Sequence, residues 1–263
     1  MCYSELRKPM ITPMLVNMSL SGIGRLGAAI REDFLPIHCL LCNSPCGRPS
    51  VLCDQCEGDI RINTWCCTRC AAPGRALMAH CATTTTPRQL NAGLEYHGVV
   101  RELIHRWKFN RAADLTGFLV KRALTTAPRI AGFDAMVPVP MHWRRRWYRG
   151  YNQSEVLARV LSRELEMRSG IRVPVKNLVR ARGRPTAQHL MNRRQRRQSA
   201  QDRYTTCARL EGQSILIVDD VVTTGTTIRA VAKCIEGAGA QRVEAWCLAR
   251  APLTENTGKA LSR

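Results

Sequence analysis

The sequence lacks a hydrophobic segment long enough to cross a membrane. Although 45% of its 263 residues are hydrophobic, no apolar run approaches the roughly 18 residues that a membrane-spanning helix requires. The apolar run at residues 11–16 is interrupted by Pro13, and it is shorter than the apolar core of a signal peptide. We therefore expect no membrane insertion, a cytoplasmic location, and an N-terminal extension over residues 1–35.

The sequence is also poor in acidic residues. It has 20 Asp and Glu against 40 Lys and Arg, which gives a formal net charge of +20. This charge exceeds what solubility alone requires. It favours a polyanionic partner such as nucleic acid, and the alternative is that it serves only a small, highly phosphorylated ligand.

Cysteines, in contrast, are numerous and clustered. Cys39 and Cys42 are separated by two residues, and Cys53 and Cys56 repeat this spacing ten residues later. Because each such turn directs two sulfur atoms at one metal, the pattern predicts one structural Zn²⁺ held by these four residues. Two disulfides are the alternative, but no export signal is visible and cytosolic thiols stay reduced.

A second cysteine unit follows within the same double zinc-ribbon-like module, residues 36–85. Cys67 and Cys70 are followed by Cys81, but Thr84 stands where a fourth cysteine would be. Cys66 and His80 are the alternatives for the missing ligand. We predict only one zinc ion.

The strongest functional signal lies at residues 215–228, with the sequence ILIVDDVVTTGTTI. The continuous apolar run 215–218 is typical of a strand that is buried on both faces of a parallel sheet. We expect this strand to end at Asp219 and Asp220, and a helix to follow over residues 228–235. Open α/β sheets bind their ligands at the carboxyl ends of such strands.

A loop of small, mostly hydroxyl-bearing residues joins this strand to the helix. Its backbone N–H groups and the positive end of the helix dipole suit a phosphate, and the two carboxylates suit the hydroxyls of an attached sugar. We predict that this segment binds a ribose 5-phosphate group. The alternative is that it has only a structural role, as a strand-turn-helix capped by Thr and Asp. The loop residues are Thr223, Thr224, Gly225, Thr226 and Thr227.

The other periodic segments predict an α/β domain over residues 90–252, followed by a tail at residues 253–263. A Thr-rich linker at residues 82–88 precedes this domain. The apolar patterns predict strands at residues 94–100, 133–140, 171–175 and 242–248, and helices at residues 100–109 and 153–167.

Two basic segments are candidates for contact with an anionic ligand. In the first, Arg beside aromatic rings suits either a pyrophosphate or a single-stranded nucleic acid. The second, residues 180–197, is interpreted as a mobile lid over the ligand, or alternatively as a charged surface helix. The assigned residues are Arg144, Arg145, Arg146, Trp147 and Arg149 in the first segment, and Arg182, Gln188, Arg193, Arg194, Arg196 and Arg197 in the second.

Taken together, these motifs resemble the ComF family, and most closely its GntX branch of DNA-utilisation proteins. The resemblance covers residues 36–250. It is carried by the CLLC and CDQC cysteine pairs, by WKF at residues 107–109, RGYNQS at residues 149–154, PTAQHL at residues 185–190, and VDDVVTTGTT at residues 218–227.

This resemblance implies an α/β fold of the type I phosphoribosyltransferase class, preceded by a zinc-ribbon module. It implies that Asp219 and Asp220 hold the ribose hydroxyls of phosphoribosyl pyrophosphate (PRPP), and that the threonine-rich loop holds its 5-phosphate. It also implies a role in the uptake or use of DNA, with partners in a DNA uptake machinery.

Two classes of function remain open at this stage. In the enzymatic one, Mg²⁺ bound with PRPP helps the diphosphate to leave, and an amine or base attacks the ribose; Asp219 and Asp220 are then the catalytic residues. In the binding one, the pocket and the ribbon hold single-stranded DNA or its phosphorylated end without transfer. A general base or a base-recognition pocket would separate the two, and the sequence identifies neither.

Overall fold

The computed structural model describes residues 37–46, 51–74, 87–110, 113–125, 130–141, 150–182, 203–206 and 208–252. The predicted N-terminal extension and tail lie outside these residues. Within them, no helix has both the length and the apolar character that crossing a membrane would need. The elements in chain order are β1 (Ile37–His38), β2 (Pro45–Cys46), α1 (Asp54–Gly58), β3 (Leu90–Glu95), α2 (Gly98–Asn110), α3 (Ala113–Ala123), β4 (Ala135–Pro138), α4 (Gln153–Ser169), β5 (Val179–Ala181), β6 (Tyr204–Thr206), β7 (Ser214–Val222), α5 (Thr226–Glu236) and β8 (Arg242–Arg250).

A four-stranded sheet in the order β3-β8-β7-β4 forms the centre of the fold. All three strand pairs are parallel, and Val218 of β7 lies between Trp246 of β8 and Pro138 of β4. The carboxyl ends of β4 and β7 therefore lie side by side at one edge of the sheet. This arrangement confirms the predicted α/β class.

Alternation along β7 supplies hydrophobic side chains to two cores, one on each face of the sheet. Leu216 and Val218 join one core, and Ile215 and Ile217 join the other, because successive side chains of a strand point to opposite faces. Each fully buried aliphatic side chain contributes about 1.5–3 kcal/mol. The first core is completed by Leu103, Ile104 and Trp107 of α2 and Leu157 and Leu161 of α4, and the second by Ile228, Val231 and Ile235 of α5.

The cysteine-rich segment covers the outer edge of β3. Ile62 pairs with Leu94 in an antiparallel bridge, the Asn63 N–H donates to the Gly93 carbonyl at 2.9 Å, and the Glu95 N–H donates to the Arg61 carbonyl at 3.0 Å. These bonds satisfy backbone groups that an edge strand would otherwise expose.

Close packing at Gly93 explains why a glycine interrupts β3. A Cβ atom there would lie 2.2 Å from the carbonyl oxygen of Ala123, so only glycine allows the end of α3 to approach the strand.

Several predicted boundaries are wrong. β7 does not end at Asp219 but continues to Val222, because its backbone still pairs with β8 there. Residues 94–100 are not a strand, since β3 covers Leu90–Glu95 and α2 begins at Gly98. Residues 171–174 are irregular, and Val175 alone forms a single bridge, to Met136; Pro174 has no N–H to donate to a strand partner.

The other predicted elements agree with the structure within a few residues. β4 lies inside the predicted strand 133–140 and β8 extends the predicted strand 242–248, while α2, α4 and α5 cover the predicted helices. The described part of the predicted linker is limited to residues 87–88.

Candidate functional site

The four predicted metal ligands come together in the structure. The sulfur atoms of Cys39, Cys42, Cys53 and Cys56 all lie within 4.8 Å of one another. A tetrahedral metal with metal–sulfur bonds of about 2.3 Å places its four sulfurs about 3.8 Å apart. The cluster therefore fits one tetrahedral metal ion. Cys66, Cys67 and Cys70 lie elsewhere in the module, and Cys81, His80 and Thr84 lie outside the described residues.

Backbone donors prepare one of these thiols for metal binding. The Leu41 N–H donates to Cys39 Sγ at 3.5 Å. Burial acts to raise the pKa of Cys39, but backbone N–H groups of Cys42, Cys53 and Leu41 outweigh it and lower this pKa to about 6. The thiolate is the form of cysteine that binds metals.

Asp219 and Asp220 lie near the carboxyl end of β7, at the sheet edge shared with β4. Asp219 is half-buried, and its Oδ1 accepts hydrogen bonds from Ser154 Oγ and from the Asp220 N–H, both at 2.9 Å. Burial, aided by the negative charge of Asp220, raises the pKa of Asp219 to about 7. The hydrogen bonds from Ser154 and the Asp220 N–H and the nearby charge of Lys108 act in the opposite direction and lower this pKa, but they do not outweigh burial.

Lys108 contributes a positive charge to this pair. Its Nζ lies 2.6 Å from Asp220 Oδ2, with only 21% and 18% of the two side chains exposed. The neighbouring Trp107 is fully buried, and its Nε1 donates to Thr116 Oγ1 at 2.7 Å. This anchor holds the last turns of α2, and with them Lys108, in place.

The RGYNQS motif meets the same site from a third part of the chain. Tyr151 Oη donates to the Trp107 carbonyl at 3.3 Å. Asn152 caps α4 by accepting from the Ser154 N–H at 3.2 Å, and its amide donates to the Val139 carbonyl at 3.0 Å. These contacts tie the N-terminus of α4 to the carboxyl end of β4, which brings Ser154 to Asp219.

Gln153 stands out in this motif. It is 1% exposed, and neither of its amide atoms has a hydrogen-bond partner. Unpaired buried amide groups are costly, so Gln153 destabilises the N-terminal turn of α4.

The loop after β7 leads directly into α5. Gly225 precedes the helix with φ of 72°, and the Thr226 N–H at the helix start donates to Thr224 Oγ1 at 3.4 Å. Thr224 Oγ1 and Thr226 Oγ1 lie 2.9 Å apart, and Thr223, Thr224, Thr226 and Thr227 are exposed. Exposed hydroxyls and backbone N–H groups at a helix start form an anion-binding arrangement.

Arg250 holds the beginning of this loop. It is buried, and its guanidinium donates to the carbonyls of Val222 at 3.1 Å and Cys70 at 3.0 Å, and also to that of Thr223. Burial lowers the pKa of this guanidinium.

Most of the residues predicted in the two basic segments lie outside the part of the chain that the structure describes. Arg144, Arg145, Arg146, Trp147, Arg149, Gln188, Arg193, Arg194, Arg196 and Arg197 lie outside the described residues. Arg182 is exposed, and its backbone N–H donates to the Arg203 carbonyl at 2.7 Å, just beyond the β5–β6 pair. Their ligand contacts remain predictions.

Sequence reasoning missed three side chains that contact the site or its loop. Lys108, Ser154 and Arg250 were not among its predicted site residues. For Lys108 a signal existed, because a lysine between two aromatic residues of a buried helix must point to something other than the core. Ser154 lies in a motif that the resemblance had already marked. For Arg250, the end of an apolar strand gave no such sign.

Comparison with known proteins places the chain in a family. Residues 152–259 match the family model described as "Phosphoribosyl transferase domain". The DNA utilization protein YhgH of Escherichia coli (strain K12) is 31% identical over 229 residues, which are 82% of this chain and 98% of that protein. The chain belongs to the ComF family. The match to the domain model, with the parallel sheet, confirms the type I phosphoribosyltransferase fold, and the cysteine cluster fits a preceding zinc-ribbon module.

A further ComF-family relative is Competence protein F of Haemophilus influenzae, 25% identical over 234 residues, which are 83% of this chain and 99% of that protein. Among solved structures, a purine phosphoribosyltransferase from Pyrococcus horikoshii is 20% identical, with a TM-score of 0.33, covering 56% of this chain and 78% of its own. The domain model begins at Asn152, so it includes the acid pair and the loop but neither Lys108 nor the cysteine cluster.

Proposed function

We propose that the carboxyl end of β7 binds a ribose 5-phosphate group, with PRPP as the ligand. One observation carries the proposal: a half-buried pair of carboxylates stands directly before an exposed, glycine-containing loop of threonines that leads into the N-terminus of a helix. A phosphate requires donors and a sugar requires acceptors, and this edge of the sheet offers both within nine consecutive residues, 219–227.

The loop is assigned to the 5-phosphate. Backbone N–H groups at the start of α5 and the hydroxyls of Thr224 and Thr226 donate to it, and no acidic residue in the first turn of α5 opposes its charge. Gly225 has no side chain between the loop backbone and the phosphate, and it adopts a φ of 72° that β-branched residues avoid.

The acid pair is assigned to the ribose. Carboxylate oxygens accept hydrogen bonds from sugar hydroxyls, and Asp219 Oδ1 is already oriented by Ser154 and by the Asp220 N–H. In a bound complex, Mg²⁺ held by the diphosphate of PRPP would supply positive charge to that group. Arg149 and the arginines of the segment 180–197 are the residues we assign to the same diphosphate.

We also propose that the chain acts in the uptake or utilisation of DNA, and that it binds single-stranded DNA. Two relatives are named for DNA utilization and for competence, and a formal net charge of +20 favours a polyanionic partner. Phosphoribosyl transfer onto an unidentified amine or base is the second candidate function, favoured by the match of residues 152–259 to a transferase domain.

We propose zinc as the metal of the cysteine cluster. Four thiolates in tetrahedral reach are the donor set that Zn²⁺ prefers in structural sites. Its role would be to hold the ribbon against the first core, where Leu52 and Ile60 pack with Leu94.

Calorimetry on two ligands tests the ribose assignment. We expect Asp219→Asn and Asp220→Asn each to weaken binding of PRPP with Mg²⁺ by about tenfold or more, because each variant loses a charged hydrogen-bond acceptor worth about 1.5–3 kcal/mol. Binding of inorganic phosphate should be unchanged or stronger, since the loop supplies its contacts and a negative charge has been removed.

A matched control is Asp134→Asn, because Asp134 accepts from the Ser214 N–H at 2.7 Å at the opposite end of β7. It should change neither affinity. If both site variants bind PRPP as well as the parent does, the carboxylates do not hold the ribose and the proposal is wrong.

A further inference from the structure

The contact between Lys108 and Asp220 differs from an ordinary surface ion pair. The two charged atoms are 2.6 Å apart and about four-fifths of each side chain is removed from water. Exposed pairs contribute little because water and salt screen them, whereas a largely buried pair at this distance is a strong, charge-assisted hydrogen bond.

Neighbouring residues also hold Lys108 in position. Holding a lysine side chain in one rotamer costs conformational entropy, so a fixed lysine needs support. Trp107, one residue earlier, is fixed through Thr116 Oγ1 at 2.7 Å, and its carbonyl accepts from Tyr151 Oη at 3.3 Å. Residues from α2, α3 and the RGYNQS motif therefore cooperate to place one ammonium group beside the acid pair.

Two adjacent carboxylates at a ligand site normally need a cation. In the part of the chain that the structure describes, the ion pair that Asp220 makes is with Lys108, and this ammonium is also close enough to Asp219 to favour its ionised form. A hydrated divalent cation on the same Asp220 oxygen would have to displace Lys108, because Mg²⁺ requires six oxygen ligands in octahedral geometry.

We propose that Lys108 is the resident cation of this site: it neutralises Asp220 in place of a divalent metal, and it excludes that metal from the acid pair. The inference rests on the proposed ribose 5-phosphate site for its ligand. Lys108 is a positioning residue, because its contact at 2.6 Å fixes the orientation of the Asp220 carboxylate. An ammonium has three N–H donors, so after the bond to Asp220 two remain for ligand oxygens.

The first experiment uses Mg²⁺ alone on the full-length protein and needs no sugar ligand. Mg²⁺ is a hard cation that does not compete for the thiolates of the cysteine cluster. We expect Lys108→Met to bind one Mg²⁺ at least tenfold more tightly than the wild type in calorimetry. The double variant with Asp220→Asn should lose this gain. Equal Mg²⁺ affinity in the wild type and in Lys108→Met would overturn the proposal.

The second experiment measures ribose 5-phosphate binding in buffer that a chelating resin has freed of divalent cations, and in the same buffer with Mg²⁺ added, so that no chelator reaches the cysteine cluster. The wild type should bind with affinities within about twofold of each other. Lys108→Met should bind at least tenfold more weakly without Mg²⁺ and recover at least fivefold in Mg²⁺, whereas Lys108→Arg should remain close to the wild type in both. A wild type that needs Mg²⁺, or a Met variant that Mg²⁺ does not rescue, contradicts the proposal.

Controls separate this inference from the proposed function. Lys121→Met removes a lysine whose Nζ lies 3.8 Å from Glu164 Oε1 on the α3–α4 side of the fold, and it should change neither Mg²⁺ nor sugar binding. If the wild type binds no ribose 5-phosphate under either condition, the proposed ligand is wrong, while the Mg²⁺ titration still decides the role of Lys108. Thermal unfolding of each variant identifies any that fails to fold.

Discussion

Replacing Asp219 by Asn should stabilise the protein without ligand at alkaline pH. Asp219 is half-buried beside Asp220, and burial is the largest cause of its raised pKa of about 7. Above that pH the folded protein must hold two adjacent negative charges in a site with little water. An asparagine of nearly the same shape removes one of these charges and retains the ability to accept from Ser154.

The magnitude follows from the difference between the folded and unfolded pKa values. A carboxyl group with a pKa of about 7 when folded and 3.8 when unfolded makes its most favourable contribution to stability below pH 3.8, and loses about 4 kcal/mol of it as the pH rises through 7. Between pH 5 and pH 8.5 the loss is roughly 3 kcal/mol. This is an upper bound, because the charge is shared with Asp220 and Lys108.

The measurement is the difference in unfolding free energy between Asp219→Asn and the wild type across this pH range, by urea denaturation. The variant's advantage should grow from pH 5 to about pH 8 and then become constant. Taking the difference cancels pH effects common to both proteins, including protonation of the cysteine cluster. Asp134→Asn measures the effect of removing a carboxylate at the other end of β7. An advantage that does not change with pH would refute the reasoning.

Two further predictions concern the metal and DNA. Serine at Cys39, Cys42, Cys53 or Cys56 should release one zinc per chain and lower the melting temperature, whereas Cys234→Ser on α5 should retain the metal; wild-type protein without zinc by elemental analysis would contradict this. Affinity for single-stranded DNA should fall steeply with salt, because each neutralised phosphate releases about 0.7 counterions. Alanine at Arg193, Arg194, Arg196 and Arg197 should make this salt dependence less steep. An affinity independent of salt would exclude the interface.

Local sequence predicted the centre of the site because the centre is local. The strand, the acid pair, the loop and α5 are consecutive, and their residue types specify a strand, a turn and a helix by period and by backbone preference. The four cysteines were equally predictable, because each pair lies in one short turn of fixed spacing and only ten residues separate the two pairs.

The supporting contacts were not predictable in the same way. Ser154 and Asp219 are 65 residues apart in the sequence. Lys108 lies on α2, which precedes β4 in the chain, whereas Asp220 lies on β7, which follows it. Such contacts depend on which strands are neighbours, and hydrophobic periodicity does not specify strand order. The end of β7 was misjudged for a related reason: Asp is a poor strand former, yet pairing with β8 keeps the backbone extended through both acids.

Arg250 connects the cysteine-rich segment to the loop that we propose as the phosphate-binding loop. A guanidinium removed from water must find acceptors, and Arg250 finds them in Cys70 on one side and in Val222 and Thr223 on the other. Moving either group away would remove a hydrogen bond from a buried charged group, which costs about 1.5–3 kcal/mol. The position of the loop is therefore coupled to the segment around Cys70. The described residues of the cysteine-rich part therefore act on the proposed ligand site through the backbone from which the loop begins, because the Cys70 carbonyl helps to hold the guanidinium that fixes it.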